Sequence, residues 1–154
     1  MGQLYLVRHA DAGHRRDHDG PDDRRPLSKR GQRQAEGLAD ALADAGITRL
    51  VTSPFLRCYQ TLVPLGVRLG VEVEEDERLA EAQGATGALD LATDLRHTTA
   101  AFCSHGDVIP DVLDALLGRG IKLEDELRWQ KASTWVLRWD GDRLAKGRYV
   151  PPPG

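Results

Sequence analysis

The chain predicts an α/β fold: a mainly parallel sheet with helices on both faces and one antiparallel element. Three features carry this. Short apolar runs alternate with amphipathic helical stretches, as in successive βαβ units. The runs end in polar loops that carry glycine, proline or charge. The last two runs are separated by Asp140-Gly141, a turn pair that joins antiparallel strands. The 154 residues suffice for one domain with its own core, expected to span 1–154.

Each element follows in order. Leu4-Tyr5-Leu6-Val7 is long enough for a buried strand, placed at Gln3 to Val7. A polar loop runs from Asp11 to Pro26. Ser28 caps a first helix ending at Gly46, with Ala35, Leu38, Ala39, Leu42 and Ala45 on one face. Arg49 to Thr52 is a second strand. Ser53-Pro54 reads as a cap and a proline at the first helical position. That helix extends to Gly70, with Phe55, Leu56, Tyr59, Leu62 and Val63 inward. Val71 to Glu74 is a third strand, Asp76 to Ala88 a loop, Leu89 to Leu95 a short helix, and Thr98 to Ser104 a fourth strand. Asp107 is expected to cap a helix through Leu117, with Pro110 tolerated in its first turn. Ser133 to Trp139 and Arg143 to Val150 make the hairpin, and alternation puts Trp135 and Trp139 on one face. Trp129 is expected to border the site. Pro151-Pro152-Pro153-Gly154 reads as an extended tail.

Composition narrows the function. The net charge of −3 argues against a general nucleic-acid or membrane-surface binder, so any basic feature is local. The first residues read as a strand rather than a leader, and no apolar run is long enough to cross a bilayer. The expected compartment is the cytoplasm. Cys58 and Cys103, the two cysteines, read as reduced packing residues. No signature of an oligomeric interface stands out.

Chemistry concentrates at strand ends. The first strand runs into Arg8-His9. Arg57 lies just inside the second helix, and His105 just past the fourth strand. Open α/β sheets bind ligands at such junctions. A transferring phosphoryl group spreads charge over three oxygens, and a guanidinium fork holds two at once at any working pH. A helix N-terminus around Arg57 adds free N–H groups. Any one of these arginines alone reads as a surface ion pair. Together with two histidines at matching junctions they read as a phosphoryl site. His9 is the candidate nucleophile, since a neutral imidazole attacks through one nitrogen while a hydrogen bond fixes the other. His105, protonated, would stabilise the oxygens. Gly106 gives close backbone approach or positive φ. Arg25 and Ser53 are candidate substrate-binding residues. An alkoxide leaving group needs a proton, for which Glu81 is the first candidate, with Asp11 and Asp107 as competitors.

Four blocks lie in one order along nearly the whole chain: Leu6-Val7-Arg8-His9-Ala10, Arg25-Pro26-Leu27-Ser28, Thr52-Ser53-Pro54-Phe55-Leu56-Arg57-Cys58-Tyr59-Gln60-Thr61 and Ser104-His105-Gly106-Asp107. This set resembles the histidine phosphatase superfamily, related to phosphoglycerate mutase. The resemblance implies a three-layer α/β/α fold of the phosphoglycerate mutase-like kind, and phosphorylation of His9. It also implies that Arg8, Arg57 and His105 hold the phosphoryl group, and that neither metal nor cofactor is required. The length, Arg-His-x-Asp-Ala and Arg-Pro-Leu-Ser resemble the SixA-type phosphohistidine phosphatases. Glu81, Gly106-Asp107 and Lys131-Ala132-Ser133-Thr134 resemble the phosphatase domain fused to some bacterial Nudix hydrolases, although no Nudix box is present here. The implied partner is therefore a phosphohistidine protein or a phosphorylated small molecule such as a nucleotide.

Rival readings fare worse. A mutase needs a closed site, and the one candidate lid is the loop Asp11 to Pro26. Its Arg15, Arg16, Arg24 and Arg25 are interspersed with Asp17, Asp19, Asp22 and Asp23, as in a solvated, self-paired loop. Asp11, His14 and His18 match no strong metal spacing. A non-catalytic phosphate-binding module would be expected to have lost its nucleophile or an arginine, and both are present.

Overall fold

The computed structural model describes residues 2–154. Its strands are β1 (Gln3–Arg8), β2 (Arg49–Thr52), β3 (Val73–Glu75), β4 (Ala100–Ser104), β5 (Lys122–Leu123), β6 (Thr134–Asp140) and β7 (Arg143–Val150). Its helices are α1 (Lys29–Leu42), α2 (Leu56–Leu69), α3 (Thr86–Asp94) and α4 (Val108–Gly118). The strands form one sheet in the order β3-β2-β4-β1-β6-β7-β5. β6 pairs antiparallel with both β1 and β7, and every other pairing is parallel. The expected architecture, mainly parallel with one antiparallel element, is the one observed.

Strand alternation divides the core into two layers. Leu4 and Leu6 of β1 join Phe102, Trp135 and Leu137 beneath α3 and α4. Tyr5 and Val7 join Ala101, Cys103 and Val136 beneath α1 and α2. Trp139 lies in the same cluster as Trp135, as the period predicts. No helix among the described residues is long and apolar enough to cross a membrane.

α1 is capped as expected. Ser28 Oγ accepts from the Gly31 amide at 3.0 Å. α2 departs from expectation in two ways. It starts at Leu56, so Pro54 lies ahead of the helix and Ser53 Oγ instead accepts from the Phe55 amide at 3.2 Å. Its buried face is Arg57, Cys58, Thr61, Leu62, Leu65 and Gly66, while Tyr59 is exposed. A face drawn from apolar residues alone misses Arg57 and Thr61, whose burial is supported by hydrogen bonds from the Arg57 Nη1 and Nη2 and from Thr61 Oγ1. Asp107 sits at the N-cap position of α4 in αR conformation and makes no cap bond, since capping needs an extended backbone there. Its Oδ2 accepts instead from the Ala82 amide at 2.8 Å. α3 begins at Thr86, three residues earlier than expected. β5, two residues against β7, carries no alternation and was not foreseen. The hairpin turn is Gly141-Asp142, since Asp140 still pairs with Arg143, and Gly141 supplies the positive φ of 61°.

Candidate active site

β1 and β4 lie side by side and in register, with Arg8 opposite Ser104. The residues that follow, His9 and His105, therefore leave the sheet as neighbours at the carboxyl ends of two parallel strands. Their rings meet edge to face, with centroids 5.6 Å apart. The His9 amide donates to Ser104 O at 3.0 Å, which extends the β1–β4 ladder into the site.

His9 is buried and its ring is oriented. Nδ1–H donates to the Ala10 carbonyl at 2.8 Å, which leaves the lone pair on Nε2. Burial lowers its pKa to about 3; the Ala10 carbonyl opposes this, and the charges of Arg57, His105 and Arg8 add to it. The imidazole is thus neutral near pH 7, the form a nucleophile requires.

Arg8 donates through Nη1 to the Trp129 carbonyl at 2.8 Å, so Trp129 borders the site through its backbone. The Arg8 guanidinium lies flat against Gly106: a Cβ there would come within 2.7 Å of Arg8 Cζ. Gly106 is needed for close approach and not for positive φ. On the other side, the Ala132 amide bonds to both Arg8 O and His9 O at 3.1 Å, from a backbone at φ 65°.

Arg57 is 2% exposed. Nη1 donates to the Asp22 carbonyl at 2.9 Å, and Nη2 to Asp22 Oδ2 and Glu81 Oε2, each at 3.2 Å. Its own carbonyl accepts from Thr61 Oγ1 at 2.7 Å, while Thr61 Oγ1 accepts from the Ala10 amide at 3.0 Å. Gln60 Oε1 accepts from the Leu27 amide at 2.8 Å. Gln60 and Thr61 thus tie α2 to the chain after His9 and before α1, a role the sequence motif contained but did not reveal.

Ser53 does not reach the cleft. It is fully buried, and its Oγ lies 2.8 Å from His105 Nε2, where it orients the ring. Cys58 Sγ lies 3.6 Å from the same nitrogen. Burial opposes ionisation of Cys58, but hydrogen bonds from Cys103 and His105 outweigh it and lower the thiol pKa; burial raises that of Cys103. Both thiols are free and buried.

The open cleft at this point is about 380 Å³ and is lined by Arg8, His9, Arg57, His105 and Gly106 at its floor. Arg15, Arg25, Glu81, Asp107 and Lys131 form its rim. Arg25 does line it; Nη1 donates to Ala12 O at 2.7 Å and Gly13 O at 3.1 Å and Nε to Asp22 Oδ1 at 3.1 Å, bonds that leave Nη2 out. Asp22 pairs within its loop, as expected, and also reaches out of it to α2. Its carboxylate meets Arg15, Arg25 and Arg57 together. Lys131 pairs with Asp11 at 3.4 Å, and Asp11 also accepts from Ser28 Oγ at 2.5 Å.

Arg8 Nε, Arg57 Nε and His105 Nδ1 are buried without a hydrogen-bond partner among the described residues. Buried polar groups are costly to leave unpaired, and these three belong to residues that line the cleft beside His9.

The sequence model of the histidine phosphatase superfamily (branch 1) matches residues 4–87. The chain belongs to the histidine phosphatase superfamily. It is 33% identical over 97% of its length to an 8-oxo-(d)GTP phosphatase of Mycolicibacterium smegmatis, and spans 48% of that protein. Its fold matches that of the protein histidine phosphatase SixA complexed with tungstate, with TM-score 0.78 over 99% of this chain and 96% of that one at 20% identity. A putative SixA from Nakamurella multipartitia matches with TM-score 0.79 over 99% of this chain and 97% of that one at 21% identity. This superfamily chain thus has the fold of SixA and its more similar sequence in a longer nucleotide phosphatase.

Proposed function

We propose that this protein is a metal-independent phosphatase that carries the phosphoryl group on His9 Nε2. The observation behind this is three unpartnered buried nitrogens, on Arg8, Arg57 and His105, in the lining of the same cleft as an imidazole held neutral with its Nε2 lone pair free. Five cationic side chains on the cleft walls supply the charge that a metal would otherwise bring to a phosphate. Arg8, Arg57 and His105 receive the oxygens of the terminal phosphoryl group. His9 attacks in line, the leaving group departs, and water then hydrolyses the phosphohistidine. Arg25 shapes the loop, Ser53 orients His105, and Glu81 reaches the cleft as a partner of Arg57.

Two substrate readings accompany this mechanism. The SixA fold supports a phosphohistidine protein, while 33% identity along nearly the whole chain to an 8-oxo-(d)GTP phosphatase supports a nucleoside phosphate. Sequence identity is the stronger support, and the second reading is preferred. The test is hydrolysis of p-nitrophenyl phosphate in EDTA by the parent and His9→Ala, with acid-labile labelling of the enzyme. We expect turnover and labelling in the parent and neither in the variant. Equal rates would remove the mechanism.

A further inference from the structure

We propose that Asp107 is the general base of the second half-reaction: its Oδ1 takes a proton from the water that attacks phosphorylated His9. The proposal rests on the phosphatase reading above and names a residue within it.

In-line displacement puts the incoming water on the far side of phosphorus from His9 Nε2. His9 lies on the cleft floor, so the water enters from the rim, and its base must stand there too. Among the described residues two carboxylates line the cleft, Glu81 and Asp107, both at the rim. Asp107 follows Gly106, whose backbone passes against the Arg8 guanidinium. It therefore stands one residue beyond the contact with an arginine that holds the phosphoryl group.

The two carboxylates differ in what their oxygens face. Glu81 meets Arg15 through Oε1 at 3.3 Å and the buried Arg57 through Oε2 at 3.2 Å, so each oxygen faces a guanidinium. Asp107 engages Oδ2 alone, which accepts from the Ala82 amide at 2.8 Å. Its Oδ1 has no partner among the described residues, and the side chain is open to solvent. One oxygen is tied down and the other is left for a water, as a positioned base requires.

The tie itself is made at a cost. Ala82 donates from φ 67°, a left-handed backbone that a residue with a Cβ rarely adopts. Strain of this kind persists where surrounding bonds hold it, and it collects at functional sites. A clamp on the Glu81 loop would need only the Oδ2 bond. Asparagine would make that bond equally well, because its side-chain oxygen also accepts from an amide. It would lack the basic oxygen. The two roles are thus separated by one substitution.

The step balances as follows. In the first half-reaction the Nε2 lone pair of His9 forms an N–P bond, and the bond from phosphorus to the leaving group breaks. In the second, the water oxygen forms an O–P bond as the N–P bond breaks, and that electron pair returns to Nε2. One water proton moves to Asp107 Oδ1 and then to solvent. The other stays on the product phosphate.

The test uses the full chain phosphorylated with radiolabelled phosphoramidate, a small donor that phosphorylates imidazole, with His9→Ala as the blank. Loss of the acid-labile label is then followed in EDTA for the parent, Asp107→Asn, Asp107→Ala and Glu81→Gln. Asp107→Asn should hold its label about a hundredfold longer than the parent, the low end of what a general base contributes. Its circular dichroism should match that of the parent. Asp107→Ala should hold the label as long, and Glu81→Gln should lose it far sooner than either. Label lost from Asp107→Asn as fast as from the parent would overturn the proposal. If Asp107→Ala alone held the label, Asp107 would be only a clamp on Ala82. If Glu81→Gln held it and Asp107→Asn did not, Glu81 would be the base. In each of these cases His9-dependent labelling leaves the phosphatase reading standing. A parent that takes no His9-dependent label removes that reading, and this proposal with it.

Discussion

His9 is kept neutral by its surroundings. Its pKa is lowered to about 3, with burial the largest cause, so the imidazole of the folded chain stays unprotonated far below the 6.5 of an ordinary histidine. The acid limb of the rate profile should therefore show no step near 6.5 from His9. Nitrogen NMR at pH 5 should find His9 neutral with the proton on Nδ1, and a protonated His9 signal there would contradict the geometry. Gly106→Ala makes a second prediction at this scale. The new Cβ would press on Arg8 Cζ at 2.7 Å and displace a guanidinium whose Nη1 is anchored to Trp129 O. A loss of about tenfold or more in kcat/KM is expected, with folding retained by circular dichroism. Arg8, His9, Arg57 and His105 were legible in the sequence because each follows directly from where a strand stops. Asp22 and Lys131 were not. Arg57, which Asp22 reaches beyond its own loop, and Asp11, which Lys131 meets, lie 35 and 120 residues away along the chain, and no local pattern announces a contact of that kind.

The loop between β1 and α1 is organised by one carboxylate. Asp22 is the ionic link between this loop and Arg57, and two of its arginine partners, Arg15 and Arg25, belong to the loop itself. Asp22→Asn should destabilise the fold by about 1–2 kcal/mol in urea unfolding, since a partner of a buried guanidinium is lost. It should also raise KM more than it lowers kcat, because Arg57 loses a support rather than a reacting group. An unchanged KM would show that the link is only structural. The start of α1 was legible because Ser28 precedes a clear apolar face. The face of α2 was not, because Arg57 and Thr61 are buried there, supported by bonds to Asp22 and Ala10. Hydrophobic periodicity cannot register a polar residue that the tertiary structure satisfies.

Across the whole molecule, titration points one way. The folded chain holds His9 near 3 against an ordinary value of 6.5, so between those values the unfolded chain binds a proton that the folded one refuses. Stability then falls with acid over that window, by at most about 1.4 kcal/mol per pH unit from His9. Asp11, held low chiefly by Ser28, and Asp76, held low chiefly by Arg78, give up their contributions as pH drops through the carboxylate range. Urea unfolding at pH 7 and pH 4.5 should show the parent markedly weaker at the lower value, and His9→Ala less so. A parallel loss in both would refute the His9 share. The sheet was legible at this scale, since alternation and the terminal hairpin fixed its class, but the position of each strand was not. The order β3-β2-β4-β1 carries its own consequence. The recognisable stretch 4–87 encodes β1, β2 and β3, yet the seat between β1 and β2 belongs to β4, encoded later. Cut after that stretch, the chain would keep His9, just past β1, and Arg57, in the helix that follows β2, with an empty lane about 10 Å across between the two strands. The motif that identifies this protein therefore cannot be excised from it: two severed halves could act only by finding each other.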